Sequence, residues 1–198
     1  MFSFTGMKYK ILQEEIVYDG FLKVKKATVV HDSFKGSEQV SATRETVERG
    51  DSVAVLLYET ETDSLLFTNQ FRYPVTKNDG GWIIELPAGK IEEGEAPQSC
   101  AKREVLEELG YEAQQLEEIY HCYLSPGGST ERIFLFYAEV TQAAKTEDGG
   151  GVETENEDIQ LYRQSVHELS KTLDAGFFKD AKTLLALQWF MLRKLNDI

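Results

Sequence analysis

The sequence predicts an α+β fold: an α/β/α sandwich around a mixed sheet, preceded by a small antiparallel sheet. Two observations lead to this class. From Lys8 to about Gly50 the chain contains only β-rich runs, separated by glycine turns at 19–20 and 35–36. From Ser52 onward, strand-like runs are interspersed with helical ones and with hairpin turns, which is typical of α+β sandwiches and not of a doubly wound sheet.

Each predicted element has a local pattern behind it. Runs rich in β-branched and aromatic residues predict three N-terminal strands, Tyr9–Val17, Phe21–Val30 and Val40–Val47. The strands expected in the second region are Ser52–Tyr58, Ser64–Thr68, Trp82–Leu86, Glu112–Tyr123, Ile133–Val140 and Ile159–Tyr162. Helical spacing and end signals predict three helices, Pro97–Leu109, Ser165–Asp174 and Ala181–Leu195. We therefore divide the chain into an N-terminal sheet segment, 1–50, and a catalytic domain, 51–198.

Composition excludes several classes of function. The 198 residues include 34 Asp and Glu against 21 Lys and Arg, a net charge of −13, which disfavours binding to nucleic acid or to anionic lipid. No run of 18 apolar residues is present and the first residues do not form a secretory signal, so we expect a cytoplasmic protein without a membrane span. Cys100 and Cys122 form no metal-binding spacing, so we expect reduced thiols and no zinc.

The helix predicted at 97–109 carries three carboxylates on one face. Glu104, Glu107 and Glu108 have i, i+3, i+4 spacing and lie beside the apolar stripe that begins at Ala101. Such helices are usually only solvated acidic faces. If the face is functional, Arg103 can neutralise one charge, and the others require a hard divalent cation such as Mg²⁺, Mn²⁺ or Ca²⁺.

The flanking residues complete a highly specific pattern. Its seven fixed identities are Gly89, Glu95, Arg103, Glu104, Glu107, Glu108 and Gly110. With this spacing the segment resembles the Nudix box, the signature of the Nudix hydrolase superfamily, in which a loop–helix–loop holds Mg²⁺ against a diphosphate. The one departure is Tyr111, where an aliphatic residue is more usual; we expect a mild change of packing there.

The resemblance implies roles for the residues of the box. Glu104 and Glu108 would bind Mg²⁺, for which Mn²⁺ can substitute, together with the backbone carbonyl of Ala88. Glu107 lies beside them and is a second candidate for a catalytic group. The remaining fixed residues would be structural: Arg103 orients a glutamate through an ion pair, Glu95 braces the loop, and Gly89 and Gly110 bound the motif.

Other segments resemble the branch that hydrolyses nucleoside diphosphate sugars, typified by the ADP-ribose pyrophosphatases. Pro126 follows Gly110 by sixteen residues, in a Pro-Gly turn that could place Glu131 in a sugar site. The segments 69–73 and 85–89 are also similar to that branch. Arg72 would then clamp a phosphate, and Arg44 matches another substrate-binding arginine; the alternative for both is a surface arginine without a role.

The acidic segment at 149–159 resembles the catalytic loop of the same branch. By this resemblance Glu155 would be the base that activates water, and Glu157 a further metal ligand. Residues 149–153 look closer to GDP-mannose hydrolases than to ADP-ribose enzymes. Three consecutive glycines, 149–151, predict hinge-like freedom, so that the loop orders when substrate and metal bind.

The expected function is Mg²⁺-dependent hydrolysis of the diphosphate bond of a nucleoside diphosphate sugar, of ADP-ribose or GDP-mannose type, to a nucleoside monophosphate and a sugar phosphate. Family members are homodimers that exchange their N-terminal sheets, where Phe21 or Tyr18 could contact the base. One alternative is a Nudix hydrolase of another nucleotide class, although a basic cluster for a longer polyphosphate is missing. Another is a non-catalytic nucleotide-sugar-binding module, but such modules typically lose box glutamates that are present here.

Overall fold

The computed structural model describes residues 6–196; the first five residues, where no secretory signal is predicted, lie outside the described part. The chain forms two compact units. The first contains the residues up to Gly50 together with Ser125–Glu131, and the second contains Asp51–Leu124 and the residues from Arg132 onward. The two units are described separately below.

The first unit is a three-stranded antiparallel sheet in the order β1-β2-β3, with β1 at Tyr9–Asp19, β2 at Lys23–Ser33 and β3 at Gly36–Glu48. The segment 125–131 belongs to it because its backbone pairs with the end of β3. The amide of Val47 donates to the carbonyl of Gly128 (2.8 Å), and the amide of Thr130 donates to the carbonyl of Val47 (3.0 Å). The Pro-Gly turn thus extends the N-terminal sheet.

The second unit combines seven strands with four α-helices. The strands are β4 (Asp51–Glu59), β5 (Ser64–Phe71), β6 (Trp82–Glu85), β7 (Ala88–Lys90), β8 (Glu117–Tyr123), β9 (Arg132–Val140) and β10 (Gln160–Ser165). The helices are α1 (Thr76–Asp79), α2 (Pro97–Leu109), α3 (Leu169–Asp174) and α4 (Ala181–Asn196). Short 3₁₀ turns occupy Tyr73–Val75, Gln142–Ala144, Glu153–Glu155 and Val166–Glu168. In the described range 6–196, no helix is both long and apolar enough to cross a membrane.

The seven strands form one mixed sheet. Its order is β10-β5-β4-β9-β8, with β6 paired to β5 and β7 paired to β4. The β4–β9 pair is parallel and the other pairs are antiparallel. Strand β4 is therefore central, and it is bonded to β7, where the Nudix-like box begins.

Alternation along β4 separates two hydrophobic cores. Val53, Val55 and Leu57 pack on one face with the apolar side of α2. Ala54 and Leu56 point to the other face, where they pack with residues of α3 and α4. Since successive side chains of a strand point to opposite faces, a strand buried on both sides requires helices on both sides. The predicted α+β sandwich with a mixed sheet and a small N-terminal antiparallel sheet is confirmed.

Some predicted element bounds are wrong. The strand expected from Glu112 begins at Glu117, because the amide of Glu112 bonds to the carbonyl of Ala144 (2.9 Å) and not to β9. The helix expected at 165–174 is a 3₁₀ turn followed by the shorter α3. The helix α1 and the three-residue strand β7 are missing from the prediction, because such short segments carry too little periodicity to be recognised.

Candidate active site

The box segment is built on the central strand. Its first residues lie in β7, where Ala88 pairs with Ala54 and Gly89 pairs with Val53 of β4. After a loop, α2 begins with Pro97 at a position where the missing amide costs no hydrogen bond. The helix ends at Gly110, which has a left-handed φ of 77° and closes it with a bond from its amide to the carbonyl of Leu106 (2.9 Å). The sheet thus anchors one end of the box, and glycine ends the helix.

Two glutamates of α2 are buried against β7. Glu104 is 9% exposed and Glu108 is 2% exposed. The amide of Ala88 donates to Oε2 of Glu108 (3.0 Å), and a Cβ at position 89 would overlap the Glu104 carboxylate, so Gly89 makes room for it. Burial raises the pKa of Glu104 to about 7 and that of Glu108 well above its usual range. Both groups are costly to ionise unless a cation is near.

Arg103 binds three carboxylates of the box. Its Nε donates to Oε1 of Glu95 (3.1 Å), and its Nη1 donates to Oε1 of Glu104 (2.8 Å) and to Oε2 of Glu107 (2.9 Å). The hydrogen bond from Arg103, with one from the amide of Glu92, lowers the pKa of Glu95 to about 2. One guanidinium therefore binds three carboxylates and fixes the position of the Glu104 side chain.

The loop that follows residue 148 brings a further carboxylate to α2. The amide of Gly151 donates to the carbonyl of Glu107 (3.0 Å), and Gly151 packs against the Glu157 side chain, so Glu157 lies beside the end of α2. After the dominant effect of burial, its charge also contributes to the raised pKa of Glu104 and Glu108. Its Oε2 accepts a hydrogen bond from the amide of Val152 (3.0 Å). Glu155 lies two residues earlier, exposed at the end of a 3₁₀ turn. The structure thus brings Glu157 to the box, whereas Glu155 faces solvent.

The donor set fits a hard divalent cation. Glu104, Glu108 and Glu157 offer only carboxylate oxygens, the ligands that Mg²⁺ and Mn²⁺ prefer. Cys100 is the nearby soft group, but burial raises the pKa of its thiol to about 12, so it stays protonated. Within residues 6–196, no three acidic, His or Cys side chains are already grouped as metal ligands. In the structure, Arg103 and the amides of residues 88 and 152 each donate a hydrogen bond to one of these three carboxylates.

A buried ion-pair network adjoins the predicted phosphate clamp. The Nε of Arg72 donates to Oε1 of Glu85 (2.7 Å), and the other oxygen of Glu85 binds Lys182 of α4. Lys182 is buried and also pairs with Asp180 (3.0 Å). Burial alone would lower the pKa of Lys182, but the two carboxylates outweigh it and raise the pKa. The Nε of Arg72 is therefore anchored by a largely buried cluster of charged residues, namely Glu85, Lys182 and Asp180.

Lys182 is a further residue of this network, and the sequence motifs do not single it out. A signal was available, because Lys182 and the buried Ala186 are four residues apart and so share the core-facing side of α4. A lysine on a core face is rarely tolerated unless it is paired. The partner, Glu85, lies 97 residues earlier in the chain, and spacing alone does not reveal such a long-range pair.

Two predicted substrate residues lie in the first unit. Arg44 is exposed on β3, and its guanidinium donates to the carbonyl of Thr43 (3.0 Å). Glu131 lies at the end of the segment that pairs with β3 and forms an ion pair with Arg49 (3.8 Å). The predicted metal ligands, by contrast, all belong to the second unit.

The departure at Tyr111 has a structural explanation. Its ring is buried and its hydroxyl donates to Oε1 of the buried Glu59 (2.5 Å), while Arg163 donates to the same hydroxyl (2.8 Å). Burial and the bond to Glu59 raise the pKa of Tyr111 to about 12. An aliphatic residue at this position would leave Glu59 with one hydrogen bond fewer in the core.

Comparison with known proteins agrees with this geometry. Residues 48–187 match the NUDIX domain family, a stretch that contains the box and the loop with Glu157. The chain therefore belongs to the NUDIX family.

Particular relatives cover most of the chain. A GDP-mannose pyrophosphatase from Cronobacter sakazakii is 35% identical over 195 residues, which are 97% of this chain and 100% of that protein. A GDP-mannose pyrophosphatase from Pectobacterium atrosepticum is 35% identical over 161 residues, 80% of this chain and 82% of that protein. The crystal structure of an ADP compounds hydrolase superposes with a TM-score of 0.73 at 18% identity, over 96% of each chain, and shows the same fold. The predicted resemblance to Nudix pyrophosphatases of nucleoside diphosphate sugars is confirmed, and the chain is a Nudix hydrolase.

Proposed function

We propose that this enzyme hydrolyses the diphosphate bond of a nucleoside diphosphate sugar in the presence of Mg²⁺, releasing a nucleoside monophosphate and a sugar phosphate. The observation that carries the proposal is the burial of Glu104 and Glu108 against β7, with Glu157 beside the end of the same helix, in a strongly acidic chain. Carboxylates repel a diphosphate unless cations lie between them. Clustered buried carboxylates on a Nudix box therefore support a metal-assisted reaction of a phosphoric anhydride.

In this mechanism the chain's own residues hold the metal. Glu104, Glu108 and Glu157 would be its carboxylate ligands, and the carbonyl of Ala88 a backbone ligand. A bound divalent cation neutralises the diphosphate and makes the bridging oxygen a better leaving group. Arg103 keeps Glu104 in position, and Glu95 in turn holds Arg103.

Glu155 is our proposed general base. A base must exchange its proton with water, and Glu155 is exposed in a short turn near Glu157. The other candidate, Glu107, already accepts a hydrogen bond from Arg103 (2.9 Å). The Glu107 carboxylate is thus already engaged by a guanidinium, whereas Glu155 is open to a water molecule, which favours Glu155.

Arg72 is our proposed clamp for the substrate diphosphate. Because Glu85 binds Nε of this side chain, the two terminal nitrogens can bind phosphate oxygens in the bidentate geometry that suits guanidinium. GDP-mannose is the first substrate to test, since relatives with that activity in their names align along 97% of this chain. ADP-ribose is the second, on the resemblance of 69–73 and 85–89 to the ADP-ribose branch.

We further propose a cytoplasmic homodimer with exchanged N-terminal units, as in the family. All eleven residues of β1 are exposed, among them Ile11, Leu12 and Ile16, which leaves apolar surface for a second copy to cover. Arg44 and Glu131 would then be the substrate-binding residues of that unit. Light scattering on the purified protein measures the mass; a monomer at micromolar concentration would contradict the exchanged dimer.

The deciding experiment is turnover of a panel of nucleotides with Mg²⁺ and with excess EDTA, with products separated by chromatography. The panel contains GDP-mannose, ADP-ribose, other nucleotide sugars, nucleoside triphosphates and a dinucleoside polyphosphate. We expect a nucleoside monophosphate and a sugar phosphate from a nucleotide sugar, and loss of turnover in EDTA. Faster cleavage of a triphosphate or a polyphosphate would contradict the proposed substrate class. Tight binding without cleavage would indicate a non-catalytic module. Full turnover in EDTA would contradict the proposed dependence on a metal ion.

A further inference from the structure

The three glycines at 149–151 lie across the C-terminal end of α2. The amide of Gly150 donates to the carbonyl of Glu108 (2.9 Å), and the amide of Gly151 donates to the carbonyl of Glu107 (3.0 Å). These carbonyls belong to the last turn of the helix, where no later amide of the helix is available to bond to them. The sequence predicts a hinge here, and in the structure two of the three amides are hydrogen-bonded to the box helix.

The same segment is packed against Glu157. A Cβ at position 151 would lie 2.6 Å from Cβ of Glu157 and 2.7 Å from its Oε2. The loop closes on itself, because the amide of Val152 donates to Oε2 of Glu157 (3.0 Å) and the amide of Ile159 donates to the carbonyl of Gly150 (3.1 Å). Only a residue without a side chain fits between α2 and Glu157 at this position.

We propose that Gly151 is a positioning residue for the metal site: its bare backbone bonds to α2 and lets Glu157 fold back beside Glu104 and Glu108. The proposal rests on the proposed function, since it concerns how the metal ligands come together. Any side chain at position 151 would push Glu157 away from the two buried carboxylates while leaving those carboxylates in place.

Gly150 offers a matched control. Both glycines have left-handed φ angles, 106° at Gly150 and 88° at Gly151, so alanine is strained at either position. A Cβ at position 150, however, would meet only the carbonyl of Ile159 at 3.8 Å, an ordinary contact. Gly150→Ala therefore reports the backbone strain alone, and Gly151→Ala reports the strain together with the displacement of Glu157.

The test is binding of Mn²⁺ alone, measured by electron paramagnetic resonance on the intact wild-type protein and the two variants. We expect both variants to unfold at lower urea concentration, but only Gly151→Ala to raise the Kd for Mn²⁺, by about 10- to 100-fold, as for other residues that orient a ligand. Gly150→Ala should stay within about twofold of wild type. Equal effects of the two substitutions would overturn the proposal.

A second variant covers the case in which Gly151→Ala does not fold. Adding Glu157→Gly removes the Cβ that the new methyl group meets, so the double variant should show a cooperative urea transition where Gly151→Ala shows none. Absence of this rescue would contradict the proposal. If wild type binds Mn²⁺ and cleaves a nucleotide sugar while Gly151→Ala binds Mn²⁺ normally, only this inference fails. If wild type does not bind Mn²⁺, the proposed function fails with it.

Discussion

The helix α2 and the loop at 149–159 both supply glutamates to the candidate site, but they hold them in opposite ways. Glu104 and Glu108 are almost excluded from solvent, and burial raises the pKa of both. Glu153 and Glu155 lie exposed in a 3₁₀ turn. The difference is the basis for proposing two different roles: a buried carboxylate is costly to ionise unless a cation is near, whereas an exposed one is open to a water molecule.

The largest effect should come from the buried pair. Glu108→Gln should cost several kcal/mol of transition-state stabilisation, about 10⁴-fold in kcat, because a ligand charge is lost. Glu104→Gln should behave similarly. Without metal, Glu104→Gln should need more urea to unfold at pH 8 than wild type does, because the Glu104 carboxyl, whose pKa burial raises to about 7, is charged there. Steady-state kinetics and urea titrations measure the two effects.

Exposed Glu112 provides the control for the buried pair. Glu112→Gln should change neither kcat nor the urea midpoint appreciably, because that carboxylate is already solvated. Near wild-type turnover of Glu104→Gln or Glu108→Gln at limiting Mg²⁺ would show that these residues are not the metal ligands.

The exposed loop should give the next largest effect. Glu155→Gln should lower kcat by roughly 10²–10⁴-fold with little change in metal or substrate affinity, since an amide cannot accept the proton. Glu157→Gln should instead weaken the apparent affinity for Mg²⁺, so that higher metal restores part of the rate. Kinetic titrations with Mg²⁺ and nucleotide sugar separate the two patterns.

Glu153→Gln completes that series. If it alone abolishes kcat, the base lies two residues from our assignment. If none of the three loop variants loses activity, the base lies elsewhere, and Glu107 is the next residue to test.

The smallest effect should come from Glu95, which binds Arg103 and stabilises the loop of the box. The pKa of Glu95 is lowered to about 2, first by the hydrogen bond from Arg103 and then by the amide of Glu92. A carboxyl whose pKa is lower in the folded state stabilises the fold above its unfolded pKa, near 4.5, and this contribution is lost as the pH falls toward 2. Glu95→Gln should therefore reduce the free energy of unfolding at pH 7, by an amount that shrinks at pH 3. Urea unfolding of both proteins at each pH measures this; a gap independent of pH would exclude the ionic brace.

Much of the fold could be predicted because its signals are local. The burial of β4 on both faces follows from a continuous apolar run at 53–57, and α2 follows from its apolar stripe and from Gly110. The residues of the box are close in sequence, so their proximity follows from helical geometry.

Other features depend on contacts between distant segments. Segment 125–131 joins the N-terminal sheet through backbone bonds to Val47, which no side-chain pattern encodes. The pairing of Lys182 with Glu85 likewise joins two segments of the second unit that are far apart in the sequence. The glycines at 149–151 predict flexibility, but the sequence does not show which carbonyls their amides reach.

The parallel pairing of β4 with β9 also has a consequence for the order of folding. These strands begin at Asp51 and Arg132, which are 81 residues apart in the chain. A nascent chain therefore cannot complete the centre of its sheet until β9 has left the ribosome, and the closure of so long a loop slows folding compared with local pairing. Until then the part of β4 that pairs with β9, in a strand whose side chains at 53–57 are fully buried in the finished fold, lacks that partner, and an unpaired apolar strand edge is open to pairing with other chains.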